Sequence, residues 1–441
     1  MNSIDIRLDG GCRKSRGQRR ESTQSWLSMT AVMALSWCPM APKCRFHEEV
    51  GVHLSSRTLE IKESPATTLS RRARAMIAQG KSVINFASGD IDFPTPQIAI
   101  DAALKAARSG TVGYTNVDGE GQLKVAIAQA YCTTYAVPVD DSNVIVSTGS
   151  KQALYNGLFV TTEPGDEVII PAPYWSSYID MAVMAGCTPV IVSCDASSSY
   201  KLTAPALASA ITPRTRWLIL NSPSSPVGAV YGAEDLLALA GVLIEHPDVL
   251  VMWDGLYEAF VCDGQKNVAL AAIAPALKNR VLSVGGVSKS YAMMGWRIGW
   301  GIGAPELIAE MAKVQSQITS SPSSIGQAAA LAALVDGGTA REAIVQRVAQ
   351  NRRLAIDMIG AMEGLRVAAG AGGIYLFVNV SAYADDDRSF AEALLNDTGV
   401  LVLPGADCGA SPYIRINIAR QPPQLEAGMK RLQQFLRTRD R

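Results

Sequence analysis

From about Leu54 onward the chain repeats one pattern: a short apolar run closed by turn residues, then a stretch of helical periodicity. Runs at 82–86, 143–146, 167–170, 188–192, 217–220, 249–253 and 281–284 alternate with helical stretches such as 233–245. Strands and helices in alternation predict an α/β fold with a mainly parallel sheet covered by helices. The periodicity then becomes helical over 305–315 and 323–362. A last segment mixes strands at 374–380, 401–403 and 413–418 with helices at 389–396 and 423–436, which predicts a second, smaller α+β domain.

Composition narrows the function classes. The chain has 441 residues, 40 Lys plus Arg against 40 Asp plus Glu, and 48% apolar positions. That is a globular composition with core enough to do without staples, and its balanced charge offers nothing to nucleic acid. The eight cysteines are scattered without metal-ligand spacing, as expected of thiols in a reducing, cytoplasmic compartment. His47, His53 and His246 are far apart, against a His-based triad or zinc site. Residues 1–45 carry eight Lys or Arg and three acids, followed from 22 to 42 by an uncharged stretch too polar and broken to span a membrane. The expectation for 1–50 is an unstructured extension, with a targeting segment or an overextended start as the alternatives.

Open α/β sheets bind ligands at the C-terminal ends of their strands. Beyond 143–146 lies Ser147-Thr148-Gly149-Ser150-Lys151-Gln152, a small-residue turn entering a helix, whose free amides suit an anion. Trp175 follows 167–170, Asp254 and Tyr257 follow 249–253, and Lys289 follows 281–284. Singly, each has an ordinary structural reading: Trp175 as core, Asp254 as a helix cap, Lys289 as a solvated lysine, Tyr257 as a packed ring with a wet hydroxyl, and Gly149–Lys151 as an N-cap.

The segment Gly286-Val287-Ser288-Lys289-Ser290-Tyr291-Ala292-Met293-Met294-Gly295-Trp296-Arg297-Ile298-Gly299 is far more specific. It resembles the cofactor-lysine signature of class I pyridoxal-phosphate aminotransferases. Further matches are Gly89-Asp90-Ile91-Asp92-Phe93, Tyr114-Thr115-Asn116-Val117-Asp118-Gly119, Pro164-Gly165-Asp166-Glu167, Pro173-Tyr174-Trp175 and Arg415-Ile416-Asn417-Ile418-Ala419. The resemblance covers most of 54–435 and is strongest to the aspartate and aromatic branch.

That resemblance implies a fold type I α/β architecture with a seven-stranded, mainly parallel sheet. It divides the chain into an N-terminal arm with part of the small domain (51–98), a large cofactor-binding domain (99–335) and a C-terminal small domain (336–441). It implies pyridoxal 5′-phosphate carried by Lys289, which also moves the proton of the substrate's α-carbon. Asp254 would pair with the ring nitrogen, Tyr257 would bond the ring hydroxyl and Trp175 would stack on the ring. Arg297, Ser288 and the Gly149, Ser150 and Lys151 amides would bind phosphate, while Arg415 takes the substrate α-carboxylate and Gly89 lets the backbone approach it. Tyr114 would reach the phosphate of a neighbouring subunit, making a homodimer with shared sites.

The implied reaction moves the amino group of an aspartate-like amino acid to a 2-oxo acid such as 2-oxoglutarate, without metal, nucleic acid or membrane. One departure stands out: Ser225-Pro226-Val227-Gly228 replaces the family's Asn-Pro-x-Gly, so serine sits where an amide would meet both ring hydroxyl and substrate carboxylate. Asn221, four residues earlier, is not expected to reach in. The change keeps open an alternative, a lyase, decarboxylase or oxidase on the same frame.

Overall fold

The computed structural model describes residues 52–439 apart from 53, 56, 111 and 369, and Ser55–Arg441 form one compact unit. The expectation for 1–50 lies outside the described residues. The largest element is a seven-stranded sheet in the order Val144–Ser147, Gly299–Ile302, Val281–Gly286, Leu250–Asp254, Thr215–Asn221, Glu167–Ala172 and Thr188–Ser193. All strands run parallel except Gly299–Ile302, which is antiparallel to both neighbours.

The inner strands are apolar on both faces, as a sheet sandwiched between helices requires. Ile169, Leu218, Met252 and Leu282 are all fully buried. Helices Ser150–Thr161, Ser177–Met184 and Pro305–Ile318 supply or border the layer over one cluster, which includes Leu154, Tyr178 and Met311. Helix Ala233–Glu245 packs Leu236, Leu239 and Leu243 into another.

Six of the seven runs read as strands of an α/β sheet belong to it. The run at 82–86 instead contributes Ile84–Asn85 to a parallel pair with Val400–Leu401. The seventh place is taken by Gly299–Ile302, whose Gly-Trp-Gly-Ile sequence carries no strand signal. The helix expected over 323–362 divides into Ser324–Asp336 and Gly338–Gly360. Gly337 caps the first through its N–H to the Ala333 carbonyl at 3.0 Å, and a side chain there would collide with that carbonyl.

Beside these elements lies a four-stranded antiparallel sheet in the order Leu403–Pro404, Tyr413–Asn417, Tyr375–Asn379 and Arg366–Val367. Helices Gly338–Gly360, Asp387–Thr398 and Pro422–Arg437 cover it through Val348, Phe390, Leu425 and Phe435, packed with Ile414 and Ile416. Among the described residues no helix is long and apolar enough to cross a membrane, and no cluster of side chains could hold a metal ion.

Candidate active site

The parallel strands end in register, Asn221 beside Asp254 and Asp254 beside Val284, so the residues that follow each strand meet at one edge. There a cavity of about 370 Å³ is lined by Gly89, Ser150, Lys151, Trp175, Ser225, Asp254, Tyr257, Ser288, Lys289, Arg297 and Arg415. Of the site residues expected from sequence, only Gly149 and Tyr114 do not line it. Gly149 adjoins it through Arg297, against whose guanidinium any side chain at this glycine would collide. Tyr114 stands apart, 91% exposed.

Lys289 lies on the short helix Val287–Ser290 directly after the strand Val281–Gly286. Its Nζ donates to the Gly89 carbonyl at 2.6 Å. Burial holds its pKa below the usual lysine range, and the Arg415 and Arg297 charges act in the same direction against Tyr375 and Asp90. This favours the neutral amine, the form that can act as nucleophile or base. Gly89 permits the approach: a Cβ there would stand 3.4 Å from Nζ and 3.0 Å from the Tyr375 hydroxyl.

Asp254 closes the strand Leu250–Asp254 and is 4% exposed. Burial pushes its carboxyl above the ordinary aspartate range. Against that, Tyr178 Oη donates to Oδ2 at 2.6 Å and the Leu256 N–H to Oδ1 at 3.0 Å. A buried carboxylate held by two donors and facing a cavity suits a cationic N–H.

Three cations border the space. Arg297, in the left-handed region at φ 56°, donates to the Met294 carbonyl at 2.9 Å. Beside it the turn into helix Ser150–Thr161 passes through Gly149 at φ 81°, and Ser150 Oγ donates to the Gly285 carbonyl at 2.7 Å. Lys151 Nζ lies 4.7 Å from the Trp175 ring centroid and 3.1 Å from Ser177 Oγ. Its pKa is lowered by burial and then by Arg297. Arg415, from the strand Tyr413–Asn417, is 2% exposed. It donates to the Ala87 carbonyl at 2.7 Å and to Ser225 Oγ at 3.4 Å, while its buried Nε has no partner. None of the three is in an ion pair among the described residues.

Asn221 does border the cavity, yet its amide is spent on the backbone: Oδ1 accepts from the Ser225 N–H at 2.6 Å and Nδ2 donates to the Asp254 carbonyl at 2.9 Å. Ser225 itself is buried. The lining residues that sequence reasoning does not single out include two tyrosines, Tyr178 and Tyr375. Tyr178 follows Trp175 by three residues at the start of a helix, a spacing that brings both rings to one side. The rings meet edge-on with centroids 5.3 Å apart. Tyr375 falls in the run at 374–380, where strand alternation alone could have set it on the face of Phe377. Its hydroxyl lies 3.2 Å from that of Tyr257. Ser64 and Thr67, beside or on helix Pro65–Ala78, also line the opening.

Comparison with known proteins agrees with this geometry. The family model described as aminotransferase class I and II matches residues 81–432. The chain is 41% identical over 395 residues to the aspartate aminotransferase of Rhizobium meliloti (strain 1021), covering 87% of this chain and 96% of that protein. It is 42% identical over 396 residues to the aspartate/prephenate aminotransferase of Cereibacter sphaeroides, covering 87% and 98%. The crystal structure of the Rhizobium meliloti aspartate aminotransferase superposes with a TM-score of 0.84 at 40% identity, over 88% of this chain and all of that one. The Thermus thermophilus aspartate aminotransferase with maleate gives 0.82 at 34% identity, over 87% and 99%. The same fold, matched nearly end to end, places the chain in the class I and II aminotransferase family, enzymes that move an amino group between an amino acid and a 2-oxo acid.

Proposed function

We propose that this aminotransferase uses pyridoxal 5′-phosphate, takes dicarboxylic, aspartate-like amino acids as donors with a 2-oxo acid such as 2-oxoglutarate as acceptor, and works as a homodimer. One observation carries the reading: a single cavity joins a buried lysine and a buried carboxylate to three cations, none of them in an ion pair among the described residues. Three anionic groups are then needed, and a phosphate with the two carboxylates of a dicarboxylic substrate supplies them. The buried Arg415 Nε without a partner and the side-chain-free cradle at Gly149 fit the same assignment.

In this reading Arg297, Ser288 and the Gly149, Ser150 and Lys151 amides hold the phosphate at a helix N-terminus. The bound cofactor supplies the electron sink for cleavage at the substrate's α-carbon. Asp254, braced by Tyr178, keeps a proton on the ring nitrogen. Tyr257 donates to the ring oxygen and Trp175 covers one face of the ring. Arg415 takes the α-carboxylate, steadied by Ser225 Oγ and the Ala87 carbonyl. The Lys151 ammonium, beside Trp175, faces the distal carboxylate. Lys289 Nζ removes the α-proton and returns it, a task helped by the burial that lowers its pKa.

The division into a large cofactor-binding part, 99–335, and a smaller part built from 51–98 and 336–441 belongs to the same proposal. Its support is that every strand of the seven-stranded sheet falls within 144–302 and every strand of the smaller sheets outside it. The exposed position of Tyr114 supports a role in the site of a second subunit. Five free thiols among the described residues accord with a reducing, cytoplasmic compartment.

Borohydride reduction of the cofactor-loaded protein, followed by peptide mapping, is expected to leave the pyridoxyl group on Lys289. A label on Lys151, or on no lysine, would overturn the assignment.

A further inference from the structure

Resting on the reading above, we infer that Tyr375 is a positioning residue: its hydroxyl aims the Tyr257 O–H into the cavity, and its ring sets the plane of the Arg415 guanidinium. The strand Tyr375–Asn379 pairs antiparallel with Tyr413–Asn417, Phe377 opposite Arg415 and Tyr375 opposite Asn417. Residues opposite one another, and those two apart on one strand, share a face, so Tyr375 and Arg415 are diagonal neighbours on it. The Arg415 guanidinium carbon lies 4.1 Å from the Tyr375 ring centroid.

Tyr375 is 3% exposed, and its ring meets that of Tyr257 at 74° with centroids 5.8 Å apart. The two hydroxyls, 3.2 Å apart, form the only hydrogen bond of Tyr257's side chain among the described residues. Burial pushes the Tyr257 phenol well above its ordinary range, so it keeps its proton. Between two neutral hydroxyls one donates and the other accepts. A guanidinium stacked on the Tyr375 ring draws density from it and makes that hydroxyl the better donor. Tyr257 then accepts from Tyr375, and its own proton is left to point into the cavity.

Ser225 makes no hydrogen bond to Tyr257 among the described residues: its N–H is held by Asn221, and its hydroxyl accepts one long contact from Arg415. An amide at this position would offer a second donor to the space that Tyr257 faces. In this chain the hydroxyl beside Tyr257 is that of Tyr375, and the absence of a side chain at Gly89 leaves it room.

Tyr375→Phe removes the hydroxyl and keeps the ring; Tyr375→Leu removes both. Each is to be loaded with pyridoxal 5′-phosphate, its bound-cofactor absorbance titrated with pH, and its affinity for succinate, an unreactive dicarboxylate, measured. An O–H donated to the cofactor's ring oxygen makes the neighbouring lysine nitrogen less basic, so misdirecting Tyr257 raises the midpoint. In Tyr375→Phe the expected rise is roughly half to one pH unit, the equivalent of one ordinary hydrogen bond, with succinate affinity unchanged. Tyr375→Leu should show the same rise and in addition lose affinity for succinate by about threefold to tenfold. Adding Ser225→Asn to Tyr375→Phe should bring the midpoint back toward that of the parent protein. A Tyr375→Phe midpoint identical to the parent's, or cofactor loss without a midpoint shift, overturns the inference while leaving the proposed function standing. A parent protein that binds no cofactor at Lys289 overturns both.

Discussion

Arg415 shows how much a single side chain commits the site. A guanidinium that is 2% exposed, bonded to one carbonyl and one hydroxyl, has given up most of its hydration without gaining a carboxylate. Arg415→Ala is expected to weaken amino-acid binding by about 2 to 5 kcal/mol, the usual cost of unpairing a buried ionic partner, with cofactor retention little changed. Equilibrium titration with substrate and with cofactor separates the two, and loss of cofactor instead would reverse the assignments of Arg415 and Arg297. At this scale the sequence was informative where chemistry is spelled in fixed spacing. Lys289 and Arg297 share one fourteen-residue motif, and Asp254 and Tyr257 follow one apolar run. Tyr178 and Tyr375 escaped notice because they read as ordinary aromatics of a helix and a strand. Only tertiary packing sets Tyr178 against a buried carboxylate and Tyr375 against a phenol and a guanidinium. Asn221 was not expected to reach in, and the bond from its amide to the Asp254 carbonyl forms only once Thr215–Asn221 and Leu250–Asp254 pair.

Among the elements, the strand Gly299–Ile302 shapes the site most directly from behind. Gly299 faces the backbone of Gly149 and Ser150, so closely that a side chain would overlap the Ser150 amide nitrogen. Gly299→Ala should therefore push the turn at Gly149 and Ser150 outward, destabilising the fold by about 1 to 3 kcal/mol, as overpacking in a tight interior does. Denaturant unfolding reads the loss, and cofactor affinity should fall with it; unchanged values for both would show that the turn is not braced by this strand. The same element was invisible to pattern reading, because two glycines and a single Trp-x-Ile alternation resemble a turn more than a strand. The strands at 281–284 and 249–253 were legible because strands covered on both faces are continuously apolar. The split of the long helix at Gly337 had a signal in the paired glycines 337 and 338, outweighed by helical periodicity on either side.

For the whole chain, surplus length is the first question. Relatives that are covered to 96% and 98% of their own length account for only 87% of this one. Deleting residues 1–45, which show no apolar periodicity, is expected to leave a folded, active dimer, with molecular mass in solution and specific activity as the checks. Insoluble or inactive protein would show that the segment is structural. The fold class was legible at this scale from alternation alone, but the way distant segments are sewn together was not, since pairing between remote strands leaves little local trace in sequence. Ile84–Asn85 pairs with Val400–Leu401, the Asp92 N–H donates to the Ala419 carbonyl at 2.9 Å, and Asn417 Nδ2 donates to the carbonyls of Ser88 and Asp90 at 2.8 Å each. Arg415 and the Ala87 carbonyl it holds are 328 positions apart. A ribosome that has finished the seven-stranded sheet has therefore delivered Lys289 without the strand that carries Arg415, while the segment 84–92 waits for partners still to be synthesised. The Arg415 end of the cavity can close only once the strand Tyr413–Asn417 has emerged, so a nascent chain that stops short of it is a sheet without a complete cavity.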